Sequence, residues 1–257
     1  MLNFTDTGEA TGLPTLLIVH GLFGSARNWG AIAKRLSSDR RVVSVDMRNH
    51  AESFRAGTQT YPEMAGDLAG VIHEIGAPVD VLGHSMGGKA AMQLALTEGA
   101  LVDRLIVADI APVACGHSQS HLIHAMRDLD LAGLSARSEA DRRLAARVPD
   151  DGVRAFLLQS LDLKADPPRW RLNLDVLEAE MDKITGWPAT HGRFDHPALF
   201  LTGALSDYVR PEHRAAIKAL FPNARFAKIQ GAGHWLHAEK PREFEATVRA
   251  FLARSPL

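Results

Sequence analysis

The chain of 257 residues is short of cysteine, of net charge and of long apolar runs, and each shortage excludes something. A single cysteine, Cys115, rules out an internal disulfide and fits a reducing compartment. Lys+Arg 29 against Asp+Glu 30 leaves a formal net charge of −1, so no global field recruits nucleic acid or anionic lipid. No block of like charge does so locally. No apolar run approaches the ~20 residues of a transmembrane helix. The segment Met1-Leu2-Asn3-Phe4-Thr5-Asp6-Thr7 has no basic stretch followed by an apolar one, so no signal peptide is expected. Internal repeats and low-complexity tracts are also lacking. The expectation is a cytoplasmic protein with neither nucleic-acid nor membrane partners.

What is present is an alternation. Short runs rich in Val, Ile and Leu at residues 16–19, 42–45, 79–82, 105–108, 198–201 and 225–229 alternate with helical patterns. Such runs are the composition of strands covered on both faces, and the alternation predicts a mostly parallel sheet covered by helices, an α/β fold. Helices are predicted at about residues 29–36, 63–75, 88–96, 211–220 and 242–252, the last with Pro241 at a favourable start. At most one or two edge strands fit before Leu16. From about Val113 to Gly192 no convincing strand is found, only helical stretches near 121–131, 139–147, 153–161 and 174–184. This reads as a helical cap over residues 113–191, inserted after the strand ending near Asp109. Residues 1–112 and 192–257 would form the core.

Gly83-His84-Ser85-Met86-Gly87 follows the run 79–82 and precedes a helix-like segment, the context that makes G-x-S-x-G a nucleophile elbow. The turn would hold the Ser85 hydroxyl at the top of the sheet and the Met86 N–H at a helix N-terminus. A serine hydroxyl needs a base. His234, in Gly231-Ala232-Gly233-His234-Trp235 after the last predicted strand, opens on the same sheet edge as the elbow. A carboxylate should orient the imidazole. Asp109 ends one predicted strand and Asp207 follows the next. Asp109 is preferred and Asp207 kept as the alternative; both fit the chain order Ser…Asp…His. For the oxyanion, Met86 N–H is one donor. The loop His20-Gly21-Leu22-Phe23-Gly24 supplies the other, from Leu22 or alternatively Phe23.

Taken together, these segments resemble the α/β-hydrolase superfamily, and within it the small bacterial YbfF-type esterases. The carrying residues are His20-Gly21-Leu22-Phe23-Gly24-Ser25, Asp46-Met47-Arg48-Asn49-His50, the elbow through Lys89, Asp109-Ile110-Ala111-Pro112, Asp195-His196-Pro197, and Gly231 through Pro241. The resemblance implies the α/β-hydrolase fold and esterase or acyl-CoA thioesterase activity, with no metal or organic cofactor. It also favours Asp109 as the acid. Members of the superfamily more often carry the acid three residues after the glycine that ends the later strand, which here is Ser206. A second departure is Ala51, where the pattern continues with glycine. If a positive φ is required there, alanine would be strained by roughly 1 kcal/mol.

The expected activity is that of a serine hydrolase cleaving carboxylic esters or acyl thioesters through an acyl-enzyme. Phe23, Trp235, Met126, Trp170 and Trp187 are candidate acyl-pocket residues. Arg48, Asn49 and His50 are read first as residues that hold neighbouring loops. The rival readings are a carbon–carbon bond hydrolase, a cofactor-free perhydrolase and, outside enzymes, a catalytically silent ligand-binding protein on the same fold.

Overall fold

A computed structural model describes residues 1–253, so the last four residues of the expected 192–257 core segment lie outside it. In chain order the strands are β1 (Phe4–Thr7), β2 (Leu16–Val19), β3 (Val42–Val45), β4 (Val79–His84), β5 (Val102–Ala108), β6 (Leu161–Asp162), β7 (Arg169–Trp170), β8 (Ala198–Gly203) and β9 (Ala224–Ile229). Seven of them form one sheet in the order β1-β3-β2-β4-β5-β8-β9. Every pairing in it is parallel except that of β1, an antiparallel edge strand on β3. The apolar runs are strands because both faces of the sheet are covered: β2, β3, β4 and β8 are buried at every position.

Six helices belong to the sheet. They are α1 (Gly30–Leu36), α2 (Tyr61–Ile75) and α3 (Met86–Thr97), then α9 (His213–Leu220), α10 (Leu236–Glu239) and α11 (Pro241–Leu252) after the excursion described below. Local chemistry sets their ends. Thr60 and Glu63 form a reciprocal capping box at the start of α2, Gly76 leaves it at φ 98°, and Pro241 opens α11. Buried apolar side chains form one cluster on each face of the sheet, Met64, Leu68 and Leu94 on one side and Trp29, Ile32 and Phe244 on the other.

Between β5 and β8 the chain leaves the sheet and runs through α4 (Ser120–Arg127), α5 (Arg137–Leu144), α6 (Asp151–Leu158), the β6–β7 hairpin, α7 (Leu174–Ala179) and α8 (Met181–Thr185). The hairpin is a correction to the strand-free expectation. Two-residue strands carry no periodicity to read. The single helix expected over 174–184 is broken at Glu180, whose carboxylate accepts from Gln59 N–H at 3.3 Å and from Lys183 Nζ at 2.8 Å. The excursion is tied back to the sheet side by Asn173 N–H on the Asn49 carbonyl at 2.9 Å and by the Tyr61 hydroxyl on the Ile184 carbonyl. Among the described residues no helix is long and apolar enough to cross a membrane.

Candidate active site

Sheet order fixes where a site can form. From β2 the chain places β3 on one side and β4 on the other, so the loops after β2 and β4 diverge and leave a crevice at the carboxyl ends of the strands. The loop after β2 is His20–Gly24 and the loop after β4 is the elbow. Ser85 sits between β4 and α3 at φ 52°, ψ −120°, a conformation that L-residues avoid and that lifts its side chain clear of the sheet. This turn needs bare backbone beside it: a Cβ on Gly87 would run into the Val19 and His20 carbonyls. A Cβ on Gly21 would lie 3.2 Å from that of Ser85, which shows how closely the two loops approach.

The structure brings together the residues that the sequence singles out. His234 Nε2 lies 3.0 Å from Ser85 Oγ, and His234 Nδ1 lies 2.8 Å from Asp109 Oδ2. Asp109 is fully buried, also at positive φ (54°), and accepts Gly203 N–H at 3.1 Å on its other oxygen. Its Oδ2 further accepts the Ser206 hydroxyl. Ser206 is the position at which the wider superfamily more often carries the acid, and here its hydroxyl is bonded to the carboxylate that follows β5. Asp207, the alternative, points away: its side chain is 73% exposed and 3.5 Å from His117. The imidazole of His234 is stacked on Tyr208, with ring centroids 3.8 Å apart. Tyr208 has no signal in the sequence, and Ser206 is marked there only as the residue that replaces the usual acid.

Of the two candidate loop donors, Phe23 is excluded by its partner: its N–H donates to His50 Nε2 at 3.1 Å. Leu22, one residue earlier, lines the same cavity as Ser85. Met86 is the first residue of α3, where backbone N–H groups have no acceptor within the helix.

The cavity holds about 190 Å³ and is bordered by Ser85, His234, Phe23 and Trp235, with Leu122, Phe156, Met181 and Ile184 from the excursion. Three expected pocket residues are not on it. Met126 is wholly buried, the Trp170 indole donates to the Met126 carbonyl at 2.8 Å, and Trp187 packs beside Tyr61. Aromatic and sulfur-bearing side chains mark packing but do not reveal which side of a helix meets the cavity. Among the described residues, no group of three or more His, Cys, Asp or Glu is placed to hold a metal ion.

Four other histidines frame the site as neutral rings. His20 Nε2 accepts Met47 N–H at 2.9 Å, and His50 accepts Phe23 N–H while its Nδ1–H donates to the Arg48 carbonyl. His84 donates to the His234 carbonyl at 2.8 Å, and His237 stacks on Trp29. Burial lowers all four, His50 and His237 to about 3. For His50 and His237 the unfolded chain takes up the proton near pH 6.5 and the folded chain only near 3, so their contribution to stability is complete above 6.5 and falls as the pH drops. At pH 5 the two rings together should cost roughly 4 kcal/mol. Urea midpoints at pH 7.5 and 5, at constant m-value, measure this, and a flat profile contradicts it.

Arg48, Asn49 and His50 hold loops, as expected. Arg48 pairs with Asp67 at 2.6 Å, and Asn49 donates to Gln59 at 2.9 Å while accepting from Asn173. Ala51 does adopt positive φ, 43°. Releasing an L-residue from this region recovers about 1–2 kcal/mol, and the added unfolded-state freedom of glycine costs about 0.4–1 kcal/mol. Ala51→Gly should therefore stabilise the fold by about 0.5–1 kcal/mol in urea unfolding; any destabilisation would refute the strain.

The fold is that of one enzyme class, and comparison with known proteins agrees. Residues 16–247 match the alpha/beta hydrolase family, and the chain belongs to it. It is 41% identical over 255 residues to the sn-1-specific diacylglycerol lipase ABHD11 of Mus musculus, covering 96% of this chain and 83% of that one. It is 38% identical over 242 residues to Esterase YbfF of Escherichia coli (strain K12), covering 92% of each. A solved marine microorganism esterase superposes with a TM-score of 0.92 at 36% identity, over 97% of this chain and 98% of that one.

Proposed function

We propose that this chain is a serine hydrolase of small carboxylic esters and acyl thioesters, with Ser85 as nucleophile, His234 as base and Asp109 as the acid that orients it. The observation that carries the reading is the unbroken hydrogen-bonded series Ser85–His234–Asp109 at the mouth of a cavity, in a chain similar to an esterase and a lipase. Ser85 Oγ attacks the acyl carbon as His234 Nε2 takes its proton. Asp109 fixes the tautomer with Nδ1–H and stabilises the imidazolium. Met86 and Leu22 N–H groups receive the oxyanion. His234 then protonates the departing alcohol or thiol, and a water deprotonated by the same ring releases the acid.

Residues 113–191 act as the cap that shapes the acyl end of the cavity through Leu122, Phe156, Met181 and Ile184, with residues 1–112 and 192–253 as the core. Phe23 and Trp235 contact the substrate from the core side. The cytoplasm is the expected location, given the single cysteine.

A fluorophosphonate tests the reading directly. One equivalent should attach at Ser85 and abolish hydrolysis of p-nitrophenyl butyrate. Attachment elsewhere, or turnover that survives full labelling, overturns it.

A further inference from the structure

One charged side chain on the cavity has no part in the reaction just described. Lys89 lies one turn beyond Ser85 on α3, its N–H bonded to the Ser85 carbonyl at 3.0 Å, and it borders the same cavity. It is 1% exposed. Its ammonium donates to the Thr185 and Gly186 carbonyls, at 2.8 and 2.6 Å, where α8 ends. The remaining neighbours are the Cys115 sulfur at 4.0 Å and the Tyr61 ring at 5.7 Å. Among the described residues no carboxylate lies within ion-pair distance of it.

A buried cation without an anion is costly. Two carbonyls at a helix end supply only partial negative charge. Fastening α8 to α3 would be served by a neutral donor without that cost. Burial brings the Lys89 pKa down to about 8, which leaves the group mostly protonated near neutrality. Its third N–H meets only the Cys115 sulfur at 4.0 Å, a weak acceptor, and an anion that enters the cavity can take that place.

We propose that Lys89 is a specificity residue that receives a carboxylate at the far end of the acyl group, so that the preferred substrates are half-esters or half-thioesters of short dicarboxylic acids. This rests on the serine hydrolase reading above. Ser85 and Lys89 border one cavity of about 190 Å³, room for a short acyl group, the range that succinate, glutarate and adipate sample.

The test compares, by titration of released acid, monoethyl succinate, glutarate and adipate with ethyl butyrate, pentanoate and hexanoate. Wild type should favour at least one half-ester over the neutral ester of equal length by about 10- to 100-fold in kcat/KM, the worth of a charge-assisted hydrogen bond. In Lys89→Met that ratio should fall to about one or below. Because the ratio is taken within each variant, overall damage from loosening α8 cancels.

Should Lys89→Met fail to fold, wild type alone decides: glutarate should compete with ethyl butyrate at least about tenfold more tightly than butyrate does. Neutral esters cleaved without preference for half-esters, or a preference unchanged in the variant, would overturn the assignment to Lys89 and leave the hydrolase reading standing. No ester cleaved and no phosphonate taken up at Ser85 would instead remove the reading on which it rests.

Discussion

Ser85→Ala is expected to lower kcat for p-nitrophenyl butyrate by about 10⁶-fold, the loss found when the nucleophile of a triad is removed. The size follows from the way the group acts as a unit. Without the hydroxyl no acyl-enzyme forms, and His234 can do no more than assist a water that nothing positions. What survives is binding and whatever the Met86 and Leu22 N–H groups give to a developing oxyanion, about 10³–10⁴ over the reaction in water. The substitution keeps the Cβ and therefore adds nothing to the strain already present at φ 52°. The melting temperature should stay within a few degrees, so that lost turnover cannot be ascribed to unfolding. Residual activity above about a hundredth of wild type would place the nucleophile elsewhere.

Asp109→Asn is expected to cost about 10⁴-fold. An asparagine amide facing His234 Nδ1 can donate to it. That selects the tautomer with hydrogen on Nε2, which presents a donor to Ser85 where an acceptor is needed. Gly203 N–H and the Ser206 hydroxyl would still hold the new side chain in place, so the loss is one of proton handling. Asp207→Asn, at an exposed carboxylate 3.5 Å from His117, should change kcat/KM by less than about threefold. A severe loss in Asp207→Asn with a mild one in Asp109→Asn would reverse the assignment.

The parts of this architecture that could be read from the sequence are those where one physical demand dominates. β2 and β3 were expected at the bounds they take, because a strand covered on both faces must be apolar throughout. The elbow could be read because its turn needs glycine two residues to either side of the nucleophile. Ser206 and Tyr208 could not, since a hydroxyl that serves a carboxylate 97 residues away leaves no local trace. The pocket was the least legible part. Met126, Trp170 and Trp187 have the composition of an acyl lining, yet they pack the excursion against itself and against Tyr61. Lys89 is the charged exception on a buried helix face, yet within the elbow motif nothing local separates it from its neighbours.

The carboxylate that reaches His234 follows β5, with a serine in the loop after β8, and this bears on how such enzymes are recognised in genomes. The imidazole requires a carboxylate within reach of Nδ1 and is indifferent to which strand delivers it. A search that demands an aspartate after β8 would score this chain as inert, since Ser206 stands there and Asp207 faces outward. Conversely, an aspartate counted at that position in some other chain is no proof that it orients the histidine. Two adjacent strand ends can deliver the carboxylate to the same imidazole, and automated inventories of dead and living hydrolases need to check both.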